Sequence, residues 1–363
     1  MKKNIKRAVA GGLTALVTSA ALTACGEAPE ESSAGGSESD FLPCIVSDFG
    51  GFDDKSFNQL SKQGVDKAAE ELGVEANDVE SNTESDYGPN LENLVAEGCD
   101  TIVTVGFALS AATIETAKAN PDVHFAIIDD AADADMDGKP DAENIKPILY
   151  DTAQAAFLAG YLAADYTKTG VVGTYGGQPF PTVTIFMDGF KQGVEYYAKE
   201  KGKKVKVVGF SGGDKGVFTG GFEANEAATN AARQIIDQNA DVILPVGGPI
   251  YQGALTAIED SGKDIALIGA DADVYETDPN TQDVVLTSIL KNMEQSTYDT
   301  VVAAGNGEFD STPYIGTLEN DGVGLAPFHE FEDKVSPSIS EELETVKAGI
   351  IDGSIKVDSY LSK

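Results

Sequence analysis

Positive charge is scarce in this chain of 363 residues, which has 25 Lys and Arg residues against 60 Asp and Glu residues and a formal net charge of −35 at pH 7. Nucleic-acid-binding proteins use Lys and Arg side chains to neutralise phosphates, so this balance excludes DNA and RNA as partners. The apolar fraction of 42% is nevertheless ordinary for a globular protein. A chain of this length is expected to form about two domains.

Histidine and cysteine are also sparse, with two and three residues respectively. These residues leave little material for a zinc site, and we expect no bound metal ion and no cofactor. Neither His124 nor His329 has a Cys or Ser partner at a position that suggests a nucleophile and its base. The sequence therefore predicts no catalytic residue, and we expect the protein not to be an enzyme.

The chain lacks an apolar run that would make a good membrane span. A basic N-terminus precedes the short apolar segment Ala8–Ala21, and small residues lead to Cys25 in the sequence LTACG at 22–26. This pattern resembles a bacterial lipoprotein signal. The resemblance implies that residues 1–24 are a signal peptide and that Cys25 carries a diacylglycerol anchor. The alternative is an ordinary secretory signal followed by an incidental cysteine.

The residues after Cys25 are rich in Gly, Ser and Glu and show no apolar periodicity. We interpret residues 25–40 as a flexible tether between the lipid anchor and a folded region that begins at Phe41. The protein is then expected to be held at the extracytoplasmic face of the bacterial cell membrane, with the lipid as its membrane contact.

From Phe41 onward, short runs rich in Val and Ile alternate with segments of helical periodicity. The predicted strands are Cys44–Val46, Thr101–Val105, Phe125–Ile128, Gly170–Thr174, Lys204–Gly209, Val242–Val246 and Ala266–Ile268. Helices are predicted near 56–72, 152–167, 183–200, 224–238, 250–261 and 340–350. Continuous apolar strands separated by helices are typical of parallel sheets that are covered on both faces.

A single sheet with this many strands would be unusually wide, so we predict an α/β fold of two doubly wound, Rossmann-like lobes joined by a hinge. We assign residues 41–150 and about 276–309 to lobe 1, and residues 151–275 and about 310–363 to lobe 2. Ligands of open parallel sheets bind beyond the carboxyl ends of the strands, which predicts a site in the cleft between the lobes. Polar or glycine residues follow the predicted strands at Asp48, Asp129, Asp130, Gly247, Gly248, Asp271 and Asp273.

The segment SDFGGFDDKSFNQ at 47–59 carries the strongest signal in the chain. Its Gly pair permits a sharp exit from the first strand, and Asp54 or Ser56 can cap the helix that follows. It is followed in order by GF at 106–107, FAIIDD at 125–130, FLAGYLAA at 157–164, GG at 176–177, IGADAD at 268–273 and SILKN at 288–292. Together these motifs resemble the basic membrane protein family of lipid-anchored ABC-transporter substrate-binding proteins, in which the purine nucleoside receptor is the best understood type. The resemblance implies the type I periplasmic-binding-protein fold.

The resemblance also implies that a nucleoside is held between the two lobes. Asp48 matches an acid that accepts a hydrogen bond from the base, Phe57 matches an aromatic residue that stacks on the base, and Asn58 lies beside them at the base edge. An Asp that follows a strand is often only a helix cap, and an aromatic residue at helical spacing is often a core residue, so the family match carries these assignments.

Four further positions match residues that the family uses at other strand ends. Asp129 matches an Asp after the FAII strand, and Asp271 matches an Asp that accepts from the ribose hydroxyls. Lys291 matches the Lys of an S-x-x-K-N segment, and Gly247 or Gly248 occupies the Gly-rich turn near the ribose.

A second stacking ring is expected from the segment TGGFE at 219–223. The resemblance selects Phe222, but extra residues at 211–217 leave Phe218 and Phe210 open. Two aromatic rings enclose a flat base well, and carboxylates accept from vicinal hydroxyls. Several Asp residues with one Lys suit a neutral ligand and would repel a nucleotide phosphate.

These expectations define the predicted function as capture of a nucleoside, with a purine preferred, for delivery to an ABC permease and its ATPase. We expect a monomer. One alternative is a binding lipoprotein for a monosaccharide or another small polar ligand, since sugars are also bound by carboxylates and aromatic rings. Another is a surface signalling or adhesion lipoprotein that uses its acidic face.

Two smaller features concern metal binding and oxidation. Asp133, Asp135 and Asp137 have the spacing of a calcium loop, but position 12 is Asn144 rather than Glu, and the alternative is an acidic surface insertion.

Cys44 and Cys99 lie at the same ends of two strands that neighbour each other in doubly wound sheets, which predicts a disulfide in an oxidising compartment. The alternative is a pair of buried thiols.

Overall fold

A computed structural model describes residues 41–362, which belong to one compact unit of the chain. The predicted signal peptide, Cys25 and the tether lie outside the described residues. The strands of this region are β1 (Pro43–Val46), β2 (Asn77–Val79), β3 (Thr101–Val105), β4 (His124–Ile128), β5 (Ile145–Tyr150), β6 (Val171–Gly176), β7 (Lys206–Val208), β8 (Phe210–Gly212), β9 (Lys215–Gly216), β10 (Val242–Val246), β11 (Ala266–Asp271), β12 (Val285–Lys291), β13 (Tyr314–Gly316) and β14 (Val323–Leu325). The α-helices are α1 (Phe57–Leu72), α2 (Tyr87–Ala96), α3 (Ser110–Ala119), α4 (Thr152–Tyr166), α5 (Pro181–Lys201), α6 (Glu226–Ile236), α7 (Ile250–Ser261), α8 (Val274–Thr277), α9 (Met293–Gly305) and α10 (Ile339–Ile351).

Two six-stranded sheets form the centres of two lobes. In lobe 1 the strand order is β13-β5-β4-β3-β1-β2, and every neighbouring pair is parallel. In lobe 2 the order is β14-β12-β11-β10-β6-β7, and the pair β12–β14 is antiparallel while the others are parallel. The predicted α/β class with two doubly wound lobes is confirmed.

The inner strands are apolar along their whole length because helices cover both faces of each sheet. Every residue of β3, β10 and β11 is buried, including the polar Thr101 and Thr104. The Thr104 hydroxyl donates to the Ala126 carbonyl on the neighbouring strand, so its burial leaves no unpaired hydroxyl.

The two lobes share one strand order, with the edge strands β13 and β14 running in different directions, although the sequence shows no strict internal repeat. Read from the other edge, β2-β1-β3-β4-β5-β13 corresponds to β7-β6-β10-β11-β12-β14. In this correspondence β4 is equivalent to β11. Asp129 follows β4 and Asp271 ends β11, and both have left-handed backbones with φ of 64° and 70°. The same sharp turn therefore presents a carboxylate from each lobe.

The chain passes between the lobes at three places. These are Asp151, Asn292 and residues 317–322, and neighbouring passages are hydrogen-bonded, as in the bond from the Asp151 N–H to the Gly316 carbonyl. The expected return to lobe 1 near residue 276 is wrong, because β12 belongs to the second sheet. The expected passage near 310 is also wrong, because β13 pairs with β5 in lobe 1. A strand's own residues do not specify which of two similar sheets it joins.

Cys44 and Cys99 are joined by a disulfide across 55 residues of chain. Cys44 lies in β1, and Cys99 lies two residues before β3, which pairs with β1 in parallel. Both side chains are buried in the apolar core of lobe 1. The bridge ties two central strands of the sheet at the ends remote from the cleft.

Candidate functional site

The carboxyl ends of both sheets face one cavity between the lobes. It is lined from lobe 1 by Asp48, Phe49, Gly50, Asp54, Phe57, Asn58, Gly106, Phe107, Ala108 and Asp129, and from lobe 2 by Phe180, Thr182, Val183, Phe186, Phe222, Val246, Gly247, Gly248, Pro249, Asp271 and Lys291. All eight residues that the sequence analysis assigned to the ligand are among them.

The lobes meet closely around this cavity. Its volume is about 60 Å³, below the roughly 300–1,000 Å³ that is common for small-molecule sites. Across the cleft, Ser56 Oγ donates to the Ala270 carbonyl at 3.1 Å and the Lys55 ammonium lies 3.2 Å from Asp278. The structure is therefore a closed form, and a ligand larger than water enters when the lobes separate.

Asp48, Asp54 and Asn58 form a polar cluster where β1 leads into α1, in which Asp54 and Asn58 are buried and Asp48 is partly exposed. The Asn58 side-chain amide donates to Asp48 at 2.8 Å and to Asp54 at 3.0 Å, and the Gly50 N–H also donates to Asp48. Asp54 accepts from the backbone N–H groups of Ser56, Asn58 and Gln59, so it satisfies the start of the helix. Burial raises the pKa of the Asp48 carboxyl from 3.8 to about 6, although the bonds from Gly50 and Asn58 oppose the shift.

Lys291 bridges the two carboxylates that the equivalent strand ends present. Its Nζ donates to Asp129 and lies 3.2 Å from an oxygen of Asp271, and all three side chains are buried. Burial alone would lower the pKa of Lys291, but the two carboxylates outweigh this effect and raise it. Burial raises the pKa of Asp129 to about 6 against the opposing influence of Lys291. This buried Asp271 oxygen makes no hydrogen bond, so its partner in the network is the Lys291 ammonium at ion-pair distance.

Aromatic rings enclose this polar network. The Lys291 ammonium lies 5.0 Å from the centre of the Phe57 ring and 5.1 Å from that of Phe186. Four further rings form a row with centre-to-centre distances of 5.1 to 6.0 Å, in which the two outer rings come from lobe 1 and the two inner rings from lobe 2: Phe107, Phe180, Phe222 and Phe49. The cavity therefore combines aromatic rings with carboxylates in its lining.

Of the three candidates for the second stacking ring, the structure places Phe222 at the cavity. Phe218 and Phe210 are not among the lining residues. Two glycines make room for the Phe222 ring, since a Cβ at Gly177 or Gly247 would lie 2.3 Å or 2.6 Å from it. Gly247 also has a left-handed φ of 136°, which favours glycine. A glycine at position 247 is therefore favoured both by the turn that the sequence indicated and by the space that the Phe222 ring needs.

Comparison with known proteins gives a consistent result. Residues 43–359 match the family described as "Bmp: ABC transporter substrate-binding protein PnrA-like". The chain belongs to this family. It is 30% identical to the CD4+ T-cell-stimulating antigen of Listeria monocytogenes over 97% of this chain and 98% of that protein. It is 27% identical to the ABC transporter nucleoside-binding protein BmpA of Lactococcus lactis over 98% of this chain and 99% of that protein.

A solved structure extends the likeness to the fold. An ABC transporter solute-binding protein from Aeropyrum pernix superposes with a TM-score of 0.76 at 25% identity, covering 87% of this chain and 92% of that chain. The predicted family and the type I periplasmic-binding-protein fold are confirmed. As a Bmp-family protein the chain is a substrate-binding component of an ABC transporter and not an enzyme, which confirms that expectation too.

Family membership also fixes the compartment and the class of partner. Substrate-binding proteins of ABC importers are extracytoplasmic, and they work with permease and ATPase subunits and bind a small ligand. Within residues 41–362, no helix combines the length and the apolarity that a membrane-spanning helix needs.

Sequence reasoning missed several cavity residues of this Bmp-family protein. Phe49 and Phe107 directly follow Asp48 and Gly106, so the rule that strand-end residues bind ligands could have found them. Phe186 had no such signal, because its spacing on α5 is that of a core residue.

The acidic loop proposed for calcium lies apart from the cleft. Carboxylate oxygens of Asp133, Asp135 and Asp141 lie within 4.8 Å of one another. Asp137 instead accepts from the Lys139 N–H, while its own N–H donates to Asp133 and Asp135. Acidic side chains gather in this way without an ion, so calcium binding stays a prediction.

Proposed function

We propose that this Bmp-family protein is the lipid-anchored binding component of an ABC importer and captures a purine nucleoside between its lobes. The observation that carries the proposal is the buried Lys291 network beside Phe57 and Phe222 in one cavity. Stacking on aromatic rings suits the base, while the Asp271 carboxylate, whose buried oxygen is held by an ion pair and not by a hydrogen bond, suits ribose hydroxyls. The Lactococcus relative is named as a nucleoside-binding protein, which supports the same ligand class.

Each polar residue has a distinct part in this proposal. Asp48 accepts from the base with Asn58 beside it, and Asp271 accepts from the ribose. Lys291 pairs with both Asp129 and Asp271 and holds the two carboxylates close together. With four carboxylates at the cavity, from Asp48, Asp54, Asp129 and Asp271, a phosphate group would be repelled.

Calorimetry with a panel of ligands tests the assignment. Purified residues 41–363, freed of carried-over ligand by unfolding and refolding, are titrated with inosine, guanosine, adenosine, uridine, D-ribose, D-galactose and inosine 5′-monophosphate. We expect heat from at least one purine nucleoside and much weaker binding of the monophosphate. Binding of a sugar with no response to any nucleoside would contradict the proposal.

The anchor and the delivery step need separate experiments. Mass spectrometry of the protein purified from membranes should show a mature chain that starts at a diacylglycerol-modified Cys25, and Cys25→Ser should release the protein into the medium. Loss of nucleoside uptake in cells that lack the permease would support delivery. Light scattering is expected to give the mass of a monomer.

A further inference from the structure

His329 and two carboxylates, one at the residue before α8 and one within α8, form a cluster outside the ligand cavity. The cluster consists of Asp273, Glu276 and His329, whose nearest ligand atoms all lie within 4.8 Å of one another. His329 Nε2 lies 2.8 Å from an Asp273 oxygen. Side-chain spacing of this order allows one ion to contact an imidazole nitrogen and two carboxylate oxygens.

Both segments that supply these ligands are anchored in the core of lobe 2. Val274 is fully buried, and its N–H donates to Ser288 Oγ on β12. On the other segment, Phe328 and Phe331 flank the histidine and are buried. The packing of lobe 2 therefore holds His329 next to Asp273 and Glu276.

The imidazole itself is held in one plane. The His329 ring stacks on the Tyr275 ring with centres 3.9 Å apart and planes 4° apart, and the Tyr275 hydroxyl donates to Glu330. Fixing the ring keeps Nε2 directed at the carboxylate of Asp273. Ring orientation by a neighbouring group is a feature of metal-ligating histidines.

Charge around the cluster favours a cation. Asp273, Glu276 and Glu332 line one wall of a cavity of about 860 Å³ next to the hinge. Among the ion pairs of residues 41–362, none joins Asp273, Glu276 or Glu332 to a Lys or Arg. The wall is open to water, so a bound ion would keep coordination positions for solvent.

We propose that Asp273, Glu276 and His329 bind a divalent transition-metal ion, with Zn²⁺ as the biological occupant. The imidazole nitrogen decides against Ca²⁺ and Mg²⁺, which prefer oxygen ligands, and nitrogen with carboxylate oxygen is a set that Zn²⁺ accepts. The sequence contains too few His and Cys residues for a zinc site built from those alone, but two carboxylates complete this one. Zinc would clamp the loop that begins two residues after Asp271.

Titration of chelator-treated protein with Zn²⁺ alone tests the site. Residues 41–363 should bind one equivalent, and Zn²⁺ in excess should raise the melting temperature. We expect Glu276→Gln and His329→Gln each to weaken Zn²⁺ binding by at least about tenfold. Glu276 is exposed, so its variant leaves the fold intact even if the histidine variant is perturbed.

The chain offers matched controls. His124, the other histidine, stacks on Phe309 in lobe 1, and His124→Gln should bind Zn²⁺ like the parent protein. Asp135→Asn, in the separate acidic loop, should also bind one equivalent of Zn²⁺. Co²⁺ should give visible absorption bands that His329→Gln removes.

Three results would overturn the proposal. These are no saturable Zn²⁺ binding, Zn²⁺ binding that both variants retain, or binding that Asp135→Asn abolishes. Ca²⁺ binding that competes with Zn²⁺ and survives His329→Gln would also count against it, because it would indicate an oxygen-only site. None of these measurements depends on which organic ligand occupies the cleft.

Discussion

Four carboxylates and one ammonium group share a closed cleft, and their burial is energetically unfavourable unless each is hydrogen-bonded or paired. Asn58 and backbone N–H groups partly satisfy Asp48 and Asp54, and Lys291 pairs with Asp129 and Asp271. In the described part of the chain, no Lys or Arg side chain offsets the burial of the Asp48 carboxyl. Burial is therefore the dominant effect, and it raises the pKa of Asp48 to about 6. Burial of the residues proposed to bind the ligand thus lowers the stability of the fold when no ligand is bound.

The first prediction concerns pH. Because the pKa of folded Asp48 lies above its unfolded value of 3.8, the carboxyl stabilises the fold below about pH 4, and this contribution is lost as the pH rises through about 6. Asp48→Asn should therefore raise the free energy of unfolding of the ligand-free protein at pH 7 by about 1–3 kcal/mol. Urea unfolding at pH 4 and pH 7 measures this, and an equal effect at both pH values would contradict it.

Ligand affinity should respond to pH in the opposite direction. The ionised carboxylate is the form that accepts from the base, so nucleoside affinity should fall below pH 6, by up to about tenfold per pH unit. In Asp48→Asn this part of the pH dependence should disappear. Calorimetry between pH 5 and 8 tests the prediction, and an unchanged profile in the variant would exclude Asp48 as the titrating group.

A second prediction is that Phe222 and Phe218 differ in their contribution to ligand binding. Phe222 lines the cavity, whereas the Phe218 ring packs against Gly176 on the side where a Cβ would lie. Phe222→Ala should weaken nucleoside binding by about 5- to 150-fold, since a stacked base is worth roughly 1–3 kcal/mol. Phe218→Ala is the matched control and should keep the affinity within a few-fold. Equal losses in both variants would argue against a stacking role.

At the scale of elements, α4 and α5 pack unusually closely. A Cβ added at Gly160 would lie 2.0 Å from the Phe190 carbonyl oxygen, and one at Gly193 would lie 1.9 Å from that of Phe157. These atoms are backbone, so they cannot rotate away. The contact matters for the site because α5 carries Phe186 into the cavity and α4 follows the first passage between the lobes.

The third prediction follows from this contact. Gly193→Ala should force the helices apart and lower the free energy of unfolding by about 1–3 kcal/mol. Gly88→Ala is the control, because Gly88 lies in α2 with open space around its Cβ position, and it should be neutral or stabilise by up to about 1 kcal/mol. Urea unfolding of both variants measures the difference, and a Gly193 variant as stable as the control would refute the packing argument.

The disulfide gives a fourth prediction at the same scale. It closes a loop across 55 residues, for which the chain-entropy relation gives a stabilisation of roughly 4 kcal/mol. The double variant Cys44→Ala with Cys99→Ala should lose stability of about this size and still fold at 25 °C. Alkylation of unreduced residues 41–363, which contain only Cys44 and Cys99, should leave the mass unchanged, and two added groups would show free thiols instead.

At the scale of the whole molecule, the two lobes are joined by three adjacent passages and touch again across the cleft. Lys55 in lobe 1 pairs with Asp278 in lobe 2, where Tyr251 also donates to the same carboxylate. Lys55 is partly exposed, so the pair contributes little to global stability. Its location across the cleft nevertheless makes it a contact that exists only when the lobes are closed.

The fifth prediction is that Lys55→Ala favours the open form. Ligand dissociation should accelerate by up to about fivefold, since exposed pairs are worth roughly 0.2–1 kcal/mol. Lys62→Ala removes a pair with Asp66 within α1 and should leave dissociation unchanged. Stopped-flow release of ligand compares the two, and identical rates would show that the pair does not stabilise closure.

Much of the site was predictable because strand-end positions are visible in the sequence. Asp48, Asp129 and Asp271 each end a recognisable apolar run, and the structure brings all three to one cavity. The boundaries of the lobes were predicted less well, as β12 and β13 show, because either sheet offers an equivalent edge. Phe186 was missed because a helical residue that lines a cavity has the same spacing as one that fills a core.

Local patterns alone determined the α/β class, the strand-end carboxylates and the family, because buried parallel strands and glycine-rich exits have signatures within a few residues. Only the tertiary structure decided which sheet each late strand joins, that Phe222 rather than Phe218 reaches the cavity, and that Lys291 bridges carboxylates from both lobes. It also showed that His329 meets α8, 53 residues earlier in the chain. These outcomes depend on contacts between distant segments, whose energies are set by packing and burial that no single segment contains.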